Sequence, residues 1–253
     1  MNILLLGHKG YLGGYVKNIL SPDVIPQNKK YDYIINCIGK PNLEYCEKNP
    51  EISYESNYKV VVDSIKKYPS SKFIHFSSYY VYDDDERCIE DSNTTVKYKY
   101  CEHKLLSESV VSQHKGVSFR IGKIFGNSGG KKQNKLTELL LFSKEEVTLD
   151  DVRFNPVSLE QIGRAIKHEL LNKNMQGVYN LSNSGDASHY EYGCYIRENF
   201  NPELKIKRIK KHNRSFHNYG RFLMSCKKIE KKITLLNWQE DMLKYFEELK
   251  CIV

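Results

Sequence analysis

Short apolar runs alternate along this chain with longer segments whose apolar residues recur every three or four positions, the pattern of βαβ units that feed a parallel sheet. Strands are predicted at Asn2 to Leu6, Tyr33 to Ile38, Lys72 to Phe76, Val117 to Ile121 and Val178 to Leu181. Helices are predicted at Tyr11 to Leu20, Glu51 to Tyr68, Tyr98 to His114, Leu159 to Leu171, His189 to Phe200 and Trp238 to Lys250. The fold class expected is therefore α/β, a doubly wound parallel sheet with a small C-terminal lobe. No repeat or low-complexity linker interrupts the pattern, so residues 1–253 read as one domain. The stretch from Tyr79 to Lys97, with Asp83, Asp84, Asp85 and Glu86 in succession, is long enough to cover a site, and an exposed acidic loop is its plainer explanation.

Composition narrows the class without changing the fold. With 253 residues, 40% of them hydrophobic, the chain can bury one substantial core. The run Ile3 to Leu6 lacks a basic leader and meets Gly7 too soon for a signal peptide or a membrane span, so a cytoplasmic location is expected. The seven cysteines include no C-x-x-C pair and no zinc spacing, and the histidines show no metal-ligand spacing, so no metal is expected. The formal charge of +8 reflects a lysine-rich background more than a nucleic-acid surface. The densest basic stretch, Lys205 to Lys232 with Phe216, Tyr219 and Phe222 interleaved, reads first as solvated surface and second as a place for a diphosphate.

Two constellations carry chemistry. Gly7, Gly10 and Gly13 form G-x-x-G-x-x-G between the first strand and the first helix, where the backbone can turn tightly and bring a pyrophosphate to a helix N-terminus. That placement makes the sheet Rossmann-type. Tyr100 and Lys104 lie four apart on one helix face, although a tyrosine- and lysine-rich chain produces about two Y-x-x-x-K matches by chance, and Tyr68 with Lys72 is a second one. Ser78 raises the first pair above chance, because it follows the Lys72 to Phe76 strand at the carboxyl edge, where open α/β sheets bind ligands. A serine to hold a carbonyl, a tyrosine to give it a proton and a lysine to lower the phenol pKa form a ketone-reducing set. Ser77 is the rival of Ser78.

On these residues the sequence resembles the extended short-chain dehydrogenase/reductases, in the branch of dTDP-4-dehydrorhamnose reductase. The matching segments are GHKGYLGG, YDYIINCIGKPNLEYCEKNPE with Asn57 beyond it, FIHFSSYYVYD, YKYCEHKLLSE, SFRIGKIFG, RFNPVSLEQIGRAI and GVYNLSNSGDASHYEY, in family order over nearly the whole chain. GKPNLEYCE and GVYNLSNSG are closer still to the plant and viral enzymes that turn a UDP-4-keto-6-deoxyglucose into UDP-rhamnose. The resemblance implies that Ser78, Tyr100 and Lys104 are catalytic. It implies NADP(H) or NAD(H) as cofactor, held by Gly7, Lys9, Gly10, Tyr11, Leu12, Gly13, Cys37, Ile38 and Gly39 together with Tyr100 and Lys104. A nucleotide sugar would meet Ser78, Tyr79, Arg153, Asn155 and Arg221, with residues 1 to about 150 mainly holding the dinucleotide and the remainder supplying the substrate lobe. It also allows a homodimer.

Two departures qualify what the resemblance implies. The position of the cysteine used by bifunctional relatives for epimerisation holds Tyr80, and only Tyr15 to Lys30 stands where the family has a further strand and helix around the adenosine ribose. Lys9 is then the candidate for a 2′-phosphate. The expected function is 4-keto reduction of a nucleotide-linked 4-keto-6-deoxyhexose. An epimerase or bifunctional epimerase/reductase is the alternative enzyme, and a non-catalytic regulatory subunit with the same fold is the alternative of another class.

Overall fold

A computed structural model of the chain describes residues 1–27, 29–82, 87–129, 135–210 and 221–251. Its centre is a five-stranded parallel sheet of β1 (Ile3–Leu6), β2 (Tyr33–Asn36), β3 (Lys72–Ser78), β4 (Val117–Ile121) and β9 (Gly177–Leu181), in that order across the sheet. The short strands between them in sequence are β5 (Lys123–Phe125), β6 (Val147–Asp150), β7 (Arg153–Phe154) and β8 (Pro156–Ser158), followed after β9 by β10 (Ala187–Ser188), β11 (Ile206–Ile209) and β12 (Arg221–Phe222). Helices are α1 (Tyr11–Leu20), α2 (Leu43–Lys48), α3 (Pro50–Tyr54), α4 (Val60–Lys67), α5 (Lys99–Gln113), α6 (Lys135–Phe142), α7 (Leu159–Asn172), α8 (His189–Asn199), α9 (Lys227–Glu230) and α10 (Trp238–Lys250).

Strand alternation sends side chains to two cores. Ile3, Leu5, Tyr33, Ile35, Ile74, Phe76, Val117 and Phe119 face α1 and α7, where Leu12, Val16, Ile162 and Ile166 meet them. Leu4, Ile34 and Phe73 face the other way, against Val61 of α4 and Val111 of α5. Helices thus cover both faces, which explains the near-continuous apolar strands. A third core, with Phe125, Leu149, Phe154, Tyr192, Trp238 and Phe246, belongs to the C-terminal lobe. Asp241 of α10 ties the lobe to the sheet layer. Its buried carboxylate accepts hydrogen bonds from Ser158, Arg164 and Asn183 at 2.5, 2.5 and 2.7 Å.

The shortened segment after α1 leaves β1 at the sheet edge, and a single residue partly covers it. Asp23 bridges Leu4 in parallel, with Leu5 N–H donating to Asp23 O at 2.8 Å and Asp23 N–H to Ile3 O at 3.0 Å. The chain thus leaves β1 through α1 on one face, touches the outer side of β1 at Asp23, and returns along the opposite face, where Tyr31 packs beside Ile34 and Phe73. One bridged residue does the topological work of whole strands. The five strands themselves run across the sheet in chain order, so Asp23 is the one point at which the chain pairs on the far side of β1 among the described residues.

Several sequence expectations change in detail. The strand expected to reach Ile38 ends at Asn36, because Cys37 and Ile38 turn to run against Gly7. β3 extends to Ser78, so this serine is the last strand residue and pairs in register with Ile121. The helix expected from Glu51 to Tyr68 is broken by a π turn at Glu55–Lys59, in which Val60 N–H reaches back to Glu55 O. Helices α2 and α6 were not expected, being too short to show a period. Tyr68 caps α4 and Lys72 opens β3, so the second Y-x-x-x-K match is not a helical pair. Residues 83–86, with their run of acids, and Phe216 and Tyr219 lie outside the described residues.

Candidate active site

The glycine loop is built by close approach. Gly7 has φ +82°, and a Cβ there would stand 2.8 Å from both Cys37 C and Ile38 N. A Cβ on Gly13 would stand 2.1 Å from Gly7 O. The loop therefore touches the end of β2, and the two segments expected to hold the dinucleotide meet. Gly10 occupies the N-cap of α1 without a capping side chain, which leaves the first backbone N–H groups of the helix to serve an anion. The side chains of Tyr11 and Leu12, both expected to border the dinucleotide, are used within the fold. The Tyr11 hydroxyl donates to Gly126 O at 2.5 Å, and Leu12 is buried in the core. Lys9 is exposed at the outer side of the loop.

Ser78, Tyr100 and Lys104 converge at the carboxyl end of β3. The Tyr100 hydroxyl is hydrogen-bonded to Ser78, whose Oγ also accepts from Tyr80 N–H at 3.2 Å. Ser77, the rival, is turned away and buried. Lys104 Nζ donates to Phe76 O at 2.8 Å and lies 5.9 Å from the centre of the Tyr100 ring. A Cβ on Gly39 would fall 3.4 Å from that Nζ, which connects the strand-end segment to the same site.

The electrostatics correct the sequence expectation. Burial raises the Tyr100 phenol above its usual range, against the lowering by the Ser78 hydrogen bond, so it is not brought down by Lys104. Lys104 itself is pushed down to about 8, chiefly by burial, with Glu108 opposing. Tyr100 is thus held in its protonated, donating form. Lys104 is the member of the set whose pKa is drawn toward neutrality.

Asn57, which stands just beyond one of the matching segments, fixes this geometry. From the π turn its Oδ1 accepts Lys40 N–H at 2.9 Å and its Nδ2 donates to Lys40 O at 3.3 Å, clamping the segment after Gly39. A π turn is a common device at functional sites. An asparagine inside an otherwise helical run was the available signal.

The proposed substrate residues divide. Tyr79 is buried and stacked on Tyr80 with ring centres 4.4 Å apart. Asn155 is 3% exposed, and its amide is used within the fold, accepting from Met224 N–H at 2.7 Å and donating to Gly185 O at 3.1 Å. It shapes the lobe rather than offering its amide to a ligand. Arg153 directs its fork at Asp186 (2.6 Å) and Glu191 (2.9 Å), which neutralise it. The side chain of Arg221 lies outside the described residues, while its backbone pairs with Arg153. A chain that the sequence did not reveal runs from Asp150 through His189 (2.6 Å) to Lys123 (2.8 Å), two residues beyond the register partner of Ser78. Among the described residues no cluster of His, Cys, Asp or Glu forms a metal site, and no helix is long and apolar enough to cross a membrane.

Comparison with known proteins fits this geometry. The family model described as the RmlD substrate binding domain matches residues 23–251. The chain belongs to the RmlD family. The dTDP-4-dehydrorhamnose reductase of Escherichia coli is 24% identical over 233 residues, covering 78% of each chain. A dTDP-4-dehydrorhamnose reductase from Clostridium acetobutylicum superposes with a TM-score of 0.86 at 19% identity, covering 99% of this chain and 100% of that one. A Bacillus anthracis enzyme of the same name, solved in complex with NADP, gives 0.83 at 18%, covering 98% and 99%. These RmlD-type structures have the same Rossmann-type fold.

Proposed function

We propose that this RmlD-family chain is an NAD(P)-dependent oxidoreductase that reduces the 4-keto group of a nucleotide-linked 4-keto-6-deoxyhexose. The observation that carries the reading is the meeting of Ser78, Tyr100 and Lys104 at the sheet edge beside a glycine loop with free helix N–H groups. The reductase names of its relatives point the same way. A nicotinamide dinucleotide fits the residues present: the Gly7 to Gly13 backbone would hold its pyrophosphate, and Gly39 and Lys104 would border its nicotinamide ribose. When bound, it supplies the hydride that becomes the C4 hydrogen.

The chain does the rest. Ser78 holds the keto oxygen against Tyr100, and the Tyr100 hydroxyl gives that oxygen its proton, so ketone, hydride and proton sum to an alcohol. Lys104, charged below about pH 8, stabilises the phenolate left behind and returns a proton to it. Burial of all three shields the transfer from bulk water. The proposal is confined to reduction, because Tyr80 brings no thiol to the position where epimerising relatives carry one. Residues 1 to about 150 serve the cofactor and the remainder serves the sugar nucleotide.

The test is incubation with NADPH or NADH and a panel of nucleotide 4-keto-6-deoxy sugars, with product identification by NMR. Stoichiometric cofactor oxidation and a 4-hydroxy product are expected. Cofactor binding without turnover of any substrate in the panel would favour a regulatory role.

A further inference from the structure

Beneath Lys104 lies a layer of buried polar side chains that hydride and proton delivery do not use. Asn36 pairs in register with His75, and His75 with Ser118, so three side chains stand in a row on one face of the sheet. One step nearer the carboxyl edge, Ser77 and Arg120 are register partners on that face. Arg120 closes the far side by gripping Glu108 of α5 at 2.7 to 3.2 Å. Lys104 and Glu108, one turn apart, are the helix side of the layer.

Within it, His75 Nε2, Ser77 Oγ and Ser118 Oγ have no hydrogen-bond partner among the described residues, although these residues are 0%, 3% and 0% exposed. Buried polar atoms are seldom left unpaired, and three neighbours of this kind are a usual setting for internal water. The hydrogen bonds also assign the imidazole proton. Asn36 Oδ1 accepts from Ile38 N–H at 3.1 Å, so its Nδ2 is the group that faces His75 Nδ1 at 3.3 Å and donates to it. His75 Nδ1 is then an acceptor, and the proton sits on Nε2, inside the layer.

We propose that His75 Nε2, Ser77 Oγ and Ser118 Oγ hold ordered water that hydrates the Lys104 ammonium from the sheet side, which makes His75 a positioning residue for proton delivery. Lys104 Nζ already meets the carbonyl of Phe76, the residue between His75 and Ser77. The other groups around it are the Tyr100 phenol and Glu108 on its own helix, Cys37 at the end of β2 and Cys46 on α2. Glu108 alone is an anion, and its carboxylate is shared with Arg120. Internal water compensates in part for the burial that draws Lys104 downward, and burial keeps His75 neutral, well below the usual histidine range.

The kinetic consequence rests on the reductase reading, whereas the structural one does not. Nitrogen NMR of the imidazole should show His75 neutral with its proton on Nε2 from about pH 5 to 9. An Nδ1–H tautomer, or titration in the ordinary range, overturns the proposal. A high-resolution crystal structure should show water within hydrogen-bond distance of His75 Nε2, and its absence there also overturns it. His75→Leu should move the alkaline limb of kcat down by about one pH unit and reduce kcat at pH 8 about fivefold, with KM within about twofold. Ser118→Ala, a smaller change, repeats the measurement if His75→Leu does not fold. An unmoved limb refutes the hydration role. Should the wild-type protein turn over no substrate, the reductase reading fails by itself, and Lys104 titration followed by side-chain NMR in Ser118→Ala decides: a downward shift supports the proposal and no shift overturns it.

Discussion

Around Lys104, β3, α5, the end of β2 and the π turn converge, and each contributes a hydrogen bond or a close contact. At the outer side of β1 one residue, Asp23, makes two backbone hydrogen bonds, and its ion pair with Lys29, at 2.6 Å, is half open to water. Both regions serve the same dinucleotide in the proposed reaction, one at the nicotinamide end and the other at the adenosine end. The first is over-determined and closed to bulk solvent, so losing a single group there leaves buried partners unpaired. The second is shallow, and exposed ion pairs of its kind contribute at most about 1 kcal/mol. The nicotinamide end is therefore the more constrained of the two.

Lys104→Ala should have the largest effect. It removes the ammonium behind Tyr100, a bond to Phe76 O and a contact at the nicotinamide ribose, so kcat/KM should fall by about four orders of magnitude or more, with cofactor affinity lowered as well. Near-normal rate and affinity would make the Y-x-x-x-K match accidental. In the wild-type protein the same lysine predicts a rate that declines as pH rises through about 8. Its pKa is lower folded than unfolded, so between about 8 and the usual lysine range the unfolded chain binds more protons. By linkage, this group makes stability rise with pH while activity falls. Denaturant titration across that window separates loss of charge from loss of fold.

Tyr100→Phe ranks next. Removing one hydroxyl should cost about two to four orders of magnitude in kcat and leave the dissociation constant for NADPH within about twofold, measured by cofactor fluorescence. Wild-type turnover would remove Tyr100 from the mechanism. Gly13→Ala probes the pyrophosphate contact between the two ends. The added Cβ meets a backbone oxygen, not a flexible side chain, so the loop must shift, with about 1–3 kcal/mol lost in stability and at least about tenfold in cofactor affinity. Unchanged calorimetric binding would mean that the loop does not hold the dinucleotide.

The two regions also differed in how far the sequence disclosed them. The glycine loop and the serine–tyrosine–lysine set could be read because each combines residue type with position: glycine where only close backbone contact fits, and Ser78 at a strand end opposite a helix face. The strands themselves were visible as apolar runs because helices cover both sheet faces. The role of Asn57, and His75 and the Asp150–His189–Lys123 chain altogether, were not visible, since their partners are distant in sequence and no period marks them. Arg153 and Asn155 were named from resemblance, and the fold uses their polar groups internally. The direction of the Tyr100 shift was misjudged for a related reason: the sequence shows the neighbouring charge but not the burial that outweighs it. Asp23 was unmarked because one bridged residue leaves no strand pattern.

The weakest effects should come from the adenosine end. Among the described residues between α1 and β2, Asp23 alone bridges β1, so in the proposed reaction the adenosine ribose has few residues to meet, whereas Gly7 to Gly13 and the Gly39–Lys104 corner would hold the remainder of the dinucleotide. Binding should be modest, with NADH and NADPH differing by less than about tenfold in dissociation constant, that is, by less than about 1.4 kcal/mol. If Lys9 meets a 2′-phosphate, NADPH is the tighter ligand. Because Lys9 is exposed, that preference should shrink as salt rises from about 0.05 to 0.5 M and the Debye length contracts below the span of the contact. Lys9→Ala should then remove the same increment at low salt and change nothing at high salt. Calorimetric titration of both cofactors at both salt concentrations measures all four quantities. Tight binding of one cofactor with near-exclusion of the other would show that residues between Pro26 and Asn42 rebuild a pocket at the edge of β1, and the two ends of the cleft would then be equally selective.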